Sequence, residues 1–352
     1  MAARNQKVQA RLAAAAGAVA LAALIATLIW TDSAERLNTE TDRRAHQLDE
    51  PSEPPREAPL DETNGVPVLC YHYFRPAWSA VYAARVVGAV VLNLPTLGVR
   101  DFWTIPIGEF ERHLRLLREK GTRFLTLDEV HEIVRAGRPL PNPAVVITID
   151  DADESVYSLA WPVLKRQGVR AHLFVPTARV GQEWNGLRLC TWSQLNEMSA
   201  SGAVIVESHT HDLHWKVPGP HGYEPVFLQP RRLAAADSAA NAGEAAGRRL
   251  PGGFYSPVAR DLWQSRRAIE THTGRPPGFV AWPYGFASAA LDSVASACGF
   301  TGSLSLKPWA WRENGTSWHI GRYAMTAKTT PAALFDLLPP AIDRPQPAEA
   351  RP

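Results

Sequence analysis

Short apolar runs of strand type alternate along this chain with segments of helical periodicity that end in glycine, and that alternation constrains the fold more than any other feature. Residues 66–72 (Val-Pro-Val-Leu-Cys-Tyr-His) read as a strand, as does the β-branched run at 145–149, whose lack of polar alternation suits a strand buried on both faces. Between them, Phe110, Leu114 and Leu117 recur at helical spacing before Gly121, and a second helix runs from near Asp128 to Gly137. A helix over 155–167 stops at Gly168 and leads into a strand at 171–175. The rhythm continues with a helix at 193–200 and a strand at 203–207, then helices at 258–271 and 288–297 with strands at 279–282 and 300–306. Repeated βα units of this kind predict an α/β fold with a parallel sheet. Residues 66–340 give room for a TIM-like (β/α) barrel, which needs about 250 residues. Two stretches, 76–104 and 230–250, break the pattern and suggest no function.

The N-terminus carries a separate signal. Arg4, Lys7 and Arg11 precede an uncharged apolar run over 12–31. At ~1.5 Å per residue that run spans roughly 30 Å, the thickness of a bilayer core. Its basic flank lies before it and an acidic flank after it, which orients the rest of the chain outward. The run is long for a signal peptide, and no small-residue cleavage site follows Trp30. The expectation is a single-pass cell-membrane protein with an extracytoplasmic domain, a secreted or periplasmic product after signal cleavage being the alternative. The expected organisation is a cytoplasmic basic segment (1–11), a transmembrane signal anchor (12–31), an acidic Pro-rich linker (32–65), a catalytic domain (66–340) and a disordered tail (341–352). The linker cannot bury enough apolar surface to offset its ordering entropy.

Charge and cysteine content exclude several classes. A formal net charge of +2 provides no basic surface for nucleic acid. Three cysteines, Cys70, Cys190 and Cys298, form neither a CxxC pair nor a disulfide framework and read as buried thiols.

Three polar clusters fall where strands should end, and in a barrel those ends share one rim. Asp150 and Asp151, with Asp153 beyond Ala152, follow the 145–149 strand; adjacent carboxylates are costly to bring together unless a cation neutralises one of them. The second cluster places His209, His211 and His214 within six residues after a strand, a density that packing does not explain. Neutral imidazole is a favoured ligand for zinc and similar ions, but spacing does not decide which of the three bind. Third come Trp282, Pro283, Tyr284 and Gly285, a rigid aromatic turn suited to one wall of a sugar site.

Together these motifs resemble the polysaccharide deacetylase family, the NodB-homology or carbohydrate esterase family 4 enzymes, over nearly all of 66–340. The resemblance implies a distorted (β/α) TIM-like barrel of NodB-homology type. Val-Ile-Thr-Ile-Asp-Asp-Ala is similar to the family's Thr-Phe-Asp-Asp-Gly motif, which implies that Asp150 is the catalytic base and Asp151 a metal ligand. Ser-His-Thr-His-Asp-Leu-His is similar to the paired-histidine motif, implying His209 and His214 as ligands. Their five-residue separation, and the placement of Tyr-His on the first strand, resemble the circularly permuted poly-N-acetylglucosamine N-deacetylase branch. His72 is then the catalytic acid, with His319 as runner-up. Trp282, Pro283, Tyr284 and Gly285 resemble the motif that lines the groove and supplies a backbone N–H to the oxyanion. Ala152 stands in place of a glycine, and Ala281 in place of an arginine that orients the base. Asp153 and His211 have no family counterpart and read as solvent-facing or supporting groups.

The activity this implies is metal-dependent N-deacetylation of N-acetylglucosamine units in a polysaccharide, releasing acetate. The implied cofactor is a divalent metal, zinc first, with Ni2+, Co2+ or Mn2+ compatible with similar ligands. The expected partners are the polysaccharide substrate and, through the N-terminal helix, the membrane. A peptidoglycan or chitin-type deacetylase and a catalytically silent carbohydrate-binding barrel are the alternatives. A magnesium site for phosphoryl transfer is the least favoured, because such sites rely on oxygen ligands.

Overall fold

The computed structural model describes residues 65–76, 99–219, 222–229, 256–313, 315–329 and 334. The expected basic segment, anchor helix and tail lie outside those residues, as do all but the last residue of the linker and the stretches 77–98 and 230–250. Among the described residues no helix is long and apolar enough to cross a membrane.

In chain order the first elements are β1 (Val68–Tyr71), β2 (Tyr73–Arg75), α1 (Val99–Trp103), β3 (Thr104–Pro106), α2 (Ile107–Glu119), β4 (Arg123–Leu125), α3 (Leu127–Arg135) and β5 (Ala144–Ile149). There follow α4 (Trp161–Gln167), β6 (Ala171–Val175), β7 (Glu183–Trp184), β8 (Leu187–Arg188), α5 (Trp192–Ala200) and β9 (Val204–Ser208). The last are β10 (Lys216–Gly219), β11 (Gly222–Pro225), α6 (Ser256–Thr273), β12 (Phe279–Ala281), α7 (Ala289–Ala297), β13 (Gly302–Leu304) and β14 (Tyr323–Ala324).

The main sheet runs β13-β12-β9-β6-β5-β1-β14, with β4 added alongside β5, and every pairing in it is parallel. Ile320 bridges Leu304 in parallel, so the chain entering β14 passes beside β13 and the parallel sheet curves like part of a barrel. The reason for this arrangement is visible in burial. All six residues of β5 and all five of β6 are buried, as strands covered on both faces require. α2 lays Phe110, Leu114 and Leu117 against them, each such side chain contributing ~1.5–3 kcal/mol by leaving water. A second cluster of buried side chains, including Leu213, Val258, Leu262 and Val280, joins α6 and α7 to the same face of the sheet at its β12 end.

Local chemistry sets the helix boundaries. Thr126 and Glu129 form a capping box that starts α3, and Thr191 with Gln194 does the same for α5. Gly168, at φ 59, ends α4 in the left-handed conformation that glycine adopts without steric cost. The three cysteines are buried and free.

Part of the stretch expected to be irregular is ordered. Residues 99–106 form α1 and β3, and β3 pairs in parallel with β2, placing Thr104 opposite Tyr73. Only Ile105 of β3 is buried, so no periodicity betrayed it in the sequence.

Candidate active site

The carboxyl ends of four parallel strands converge on one region, the place where open and closed α/β sheets build their sites. His72 follows β1, Asp150 and Asp151 follow β5, His209 follows β9, and Trp282–Gly285 follow β12.

Asp151, His209 and His214 come together there, with one donor atom of each within 4.8 Å of the others. Asp151 Oδ1 lies 3.5 Å from His209 Nε2 and 3.7 Å from His214 Nε2. That oxygen is buried and has no hydrogen-bond partner among the described residues. Two ligands each about 2.1 Å from a shared zinc ion stand roughly 3.4 Å apart at a tetrahedral angle, so the spacing and the orphaned carboxylate oxygen fit one divalent cation. The surrounding contacts aim the donors inward. His209 Nδ1 is 2.7 Å from the carbonyl of Ala281, which leaves Nε2 as the donor toward Asp151. Tyr73 donates its hydroxyl proton to Asp151 Oδ2, leaving Oδ1 for the cluster. Burial pushes the Asp151 carboxyl up, but the nearby imidazoles of His214, His209 and His72 and the Tyr73 hydroxyl outweigh it and hold the group below the usual carboxylate range.

The backbone here is strained. Asp151, Ala152, Thr210 and Tyr284 all adopt positive φ, at 69, 57, 69 and 60°. Such conformations cost of order 1–3 kcal/mol each and gather at functional sites. Ala152 holds the left-handed conformation that the glycine of the resembling motif would adopt without penalty.

Asp150 turns away from its neighbour and is only 2% exposed. Both its oxygens accept from Arg322, Nη1 to Oδ1 at 2.7 Å and Nη2 to Oδ2 at 2.8 Å. Arg322 also donates through Nε to the carbonyl of Ser305 and lies over the Phe174 ring at 5.5 Å. Burial raises the Asp150 carboxyl, yet the Arg322 guanidinium, followed by His209, wins and keeps it ionised far below its ordinary range. Ala281 stands where the resembling motif has an arginine, and Arg322, from another part of the chain, holds Asp150 instead.

His72 stands near this pair, sharing a cluster with Asp150 and Cys70 in which donor atoms lie within 4.8 Å. Burial lowers its pKa below the ordinary histidine value, against the opposing pull of Asp150 and Asp151. Its ring packs on Trp103 at 4.4 Å between centroids.

Other residues singled out from the sequence are placed elsewhere. His211 pairs with Thr177 Oγ1 at 2.9 Å and does not join the cluster. His319 Nε2 lies 2.8 Å from Asp292 on α7, so it is not beside Asp150. Asp153 accepts from the Ser155 backbone N–H and starts the helical turn that follows. Trp282 is fully buried and packs on Phe227 at 5.6 Å, so its indole is core and not groove wall. Pro283 is buried beside it. Tyr284 does face the site, its ring 4.6 Å from that of His214 and beneath Lys216 Nζ at 4.2 Å. Gly285, at φ 76, admits Leu306, whose Cβ would lie 2.6 Å from a Cβ added there.

Four residues of this region had escaped notice in the sequence: Tyr73, Trp103, Trp184 and Arg322. Trp184, on the β7–β8 hairpin, meets the His214 ring edge-on at 4.9 Å. Arg322 sits just before a two-residue strand, where no periodic signal exists. A third group of candidate ligands, Asp128, His172 and Glu207, has ordinary structural duties. His172 Nε2 accepts from Leu127 N, and Glu207 Oε2 accepts from the N–H groups of Gly278 and Phe279.

Residues 137–303 match the family described as polysaccharide deacetylase. His72 and Arg322 fall on either side of that segment. A poly-beta-1,6-N-acetyl-D-glucosamine N-deacetylase of Staphylococcus aureus (strain NCTC 8325 / PS 47) is 25% identical over 221 residues, covering 62% of this chain and 67% of its own. The protein of the same name from Staphylococcus epidermidis is 37% identical over 107 residues, 30% of this chain and 37% of its own. Among solved structures, IcaB from Ammonifex degensii has a TM-score of 0.59 and 28% identity, over 78% of this chain and 95% of that one. The BpsB deacetylase domain from Bordetella bronchiseptica has a TM-score of 0.50 and 25% identity, over 76% of this chain and 97% of that one.

Proposed function

The chain belongs to the polysaccharide deacetylase family and is a hydrolase of amide bonds, and from that premise we propose that it removes acetyl groups from N-acetylglucosamine units of a poly-β-1,6-linked polysaccharide in a metal-dependent reaction. The observation that carries the reading is the convergence of Asp151, His209 and His214 around one orphaned carboxylate oxygen, with Asp150 clamped beside it. The relatives named for poly-N-acetylglucosamine support the choice of polymer.

Amide hydrolysis requires an activated water, charge stabilisation at the carbonyl oxygen and a proton for the leaving amine. Asp151, His209 and His214 would hold a divalent ion, zinc in our reading, which when bound would supply Lewis acidity toward water and the acetyl carbonyl. Asp150 accepts the proton of the attacking water, and Arg322 fixes the direction of its two oxygens. His72 delivers a proton to the departing amine nitrogen. The backbone N–H of Tyr284 is assigned to the developing oxyanion, and its ring forms one wall of the site beside His214. Acetate leaves, and the glucosamine unit gains a positive charge at neutral pH.

We place this domain outside the cytoplasm on an N-terminal anchor at 12–31, a reading supported by the length of that apolar run and its basic leading flank.

The test is acetate release from acetylated glucosamine oligomers by the purified full-length chain, with and without chelator. Chelation should abolish turnover and added zinc restore it. Turnover that persists in chelator refutes the proposal.

A further inference from the structure

We propose that Trp103 is the positioning residue for His72, setting the plane of the imidazole that protonates the leaving amine; this rests on the deacetylase reading above. A histidine that must donate in one direction is usually steered through its second ring nitrogen by a carboxylate or carbonyl. His209 follows that pattern through Ala281. His72 does not: its Nδ1 is buried and has no hydrogen-bond partner among the described residues.

What holds the ring is aromatic. The Trp103 indole lies 4.4 Å from it with the planes 35° apart, and Tyr73 meets it at 5.8 Å and 71°. Trp103 is itself tied down on both sides. Thr104 begins the strand that pairs in parallel with Tyr73–Arg75, and the carbonyl of Phe102 accepts from Ala327 N at 2.8 Å. The Phe102 ring then meets the indole edge-on at 5.3 Å. The backbone is thus held on both sides of the indole, and the indole restrains the tilt of the imidazole packed on it.

The choice of partner has a chemical consequence. A carboxylate bonded to His72 would stabilise its cation and make it a weaker acid, whereas an indole face restrains the ring without bringing a full negative charge. The indole therefore steers the ring without adding a further negative charge to those of Asp150 and Asp151 nearby.

The test measures acetate release from a β-1,6-linked N-acetylglucosamine pentamer by the zinc-loaded, full-length protein carrying Trp103→Ala, Trp103→Phe, His72→Ala, or Trp103→Ala with His72→Ala. Trp103→Ala should lower kcat about tenfold while leaving KM and zinc affinity near wild type, and Trp103→Phe should keep most of the rate. In the His72→Ala background Trp103→Ala should cost nothing further, because the two side chains act as a unit. An unchanged kcat for Trp103→Ala overturns the proposal. So does a rise in KM alone, which would make the indole a sugar platform, or a full further loss without His72. If His72→Ala itself keeps the wild-type rate, the acid role of His72 fails first, and that result is distinct from an inactive His72→Ala beside an unaffected Trp103→Ala.

Discussion

Arg322 reaches across 172 residues of chain to grip both oxygens of Asp150, at 2.7 and 2.8 Å, with neither partner more than 2% exposed. Removing one member of a buried ion pair strands the other without water or a counter-charge, at a cost of about 3–5 kcal/mol. Arg322→Ala should therefore lose that much stability in urea unfolding, together with most activity. Arg322→Lys keeps the charge but not the planar fork, so it should fold and yet lose about tenfold in kcat, the low end of what supporting groups around metal sites contribute. A lysine variant with wild-type turnover would show that the direction of the Asp150 oxygens is irrelevant.

Tyr73 controls the other carboxylate. Its hydroxyl occupies Asp151 Oδ2, so Oδ1 alone faces the two imidazoles. Tyr73→Phe deletes one oxygen and little volume. Zinc affinity, measured by competition with a chromophoric chelator, should fall about 10- to 100-fold while thermal unfolding of the metal-free protein barely moves. Equal affinity in the variant would remove Tyr73 from any part in holding the ion.

The alternation of strands and helices was legible because it is periodic and each unit buries its own apolar face. The convergence of Asp151 with His209 and His214 was legible for a related reason: both motifs directly follow strands, and parallel strands deliver their ends to one rim. Three kinds of feature were not. Arg322 lies before a two-residue strand whose place depends on pairing with β1, a contact between opposite ends of the chain. Trp103 lies in a segment whose only buried strand residue is Ile105. Trp282 was misread because a strand end does not reveal which way its next side chain turns; the indole goes inward to Phe227 and the neighbouring Tyr284 takes the outward position.

The three histidines after β9 have separate duties that metal stoichiometry resolves. His209 and His214 face Asp151, whereas His211 is engaged by Thr177 and its backbone N–H by Asp261. Alanine at 209 or 214 should abolish tight zinc binding, and alanine at 211 should leave one zinc per chain. His319→Ala should behave like the latter, since its ring faces Asp292. Loss of zinc in His211→Ala would contradict the assignment of ligands.

His113 makes stability depend on pH. It is fully buried on α2, its Nδ1 3.2 Å from the Tyr71 hydroxyl, and burial lowers its pKa below the ordinary value of about 6.5. Between the lowered folded value and about 6.5 the unfolded chain binds more protons at this site than the native one, so stability falls with falling pH in that window. The contribution is fully present above about 6.5 and is lost as pH drops through the folded value. In metal-free protein, His113→Leu should flatten the stability profile between about pH 7 and 5 relative to wild type, apart from a constant offset for the lost Tyr71 contact. An unaltered slope would assign the acid sensitivity to other groups.

Gly285 tests whether the aromatic turn must hold its shape. The residue adopts φ 76, and a Cβ there would come within 2.6 Å of Leu306 Cβ and 2.9 Å of Leu306 N. Backbone nitrogen cannot swing aside as a side chain can, so Gly285→Ala must either displace the strand exit at Leu306 or shift Tyr284 from beside His214. Left-handed backbone costs alanine roughly 1 kcal/mol before any clash, and overpacking adds about 1–3 kcal/mol. The variant should unfold at lower denaturant and, where folded, still bind zinc through Asp151, His209 and His214, with affinity lowered only as far as His214 loses the packing of Tyr284. Turnover should fall all the same, since the Tyr284 N–H is the group displaced. A variant with full stability and full activity would mean that this turn tolerates movement, and Tyr284 would lose its assigned place at the oxyanion.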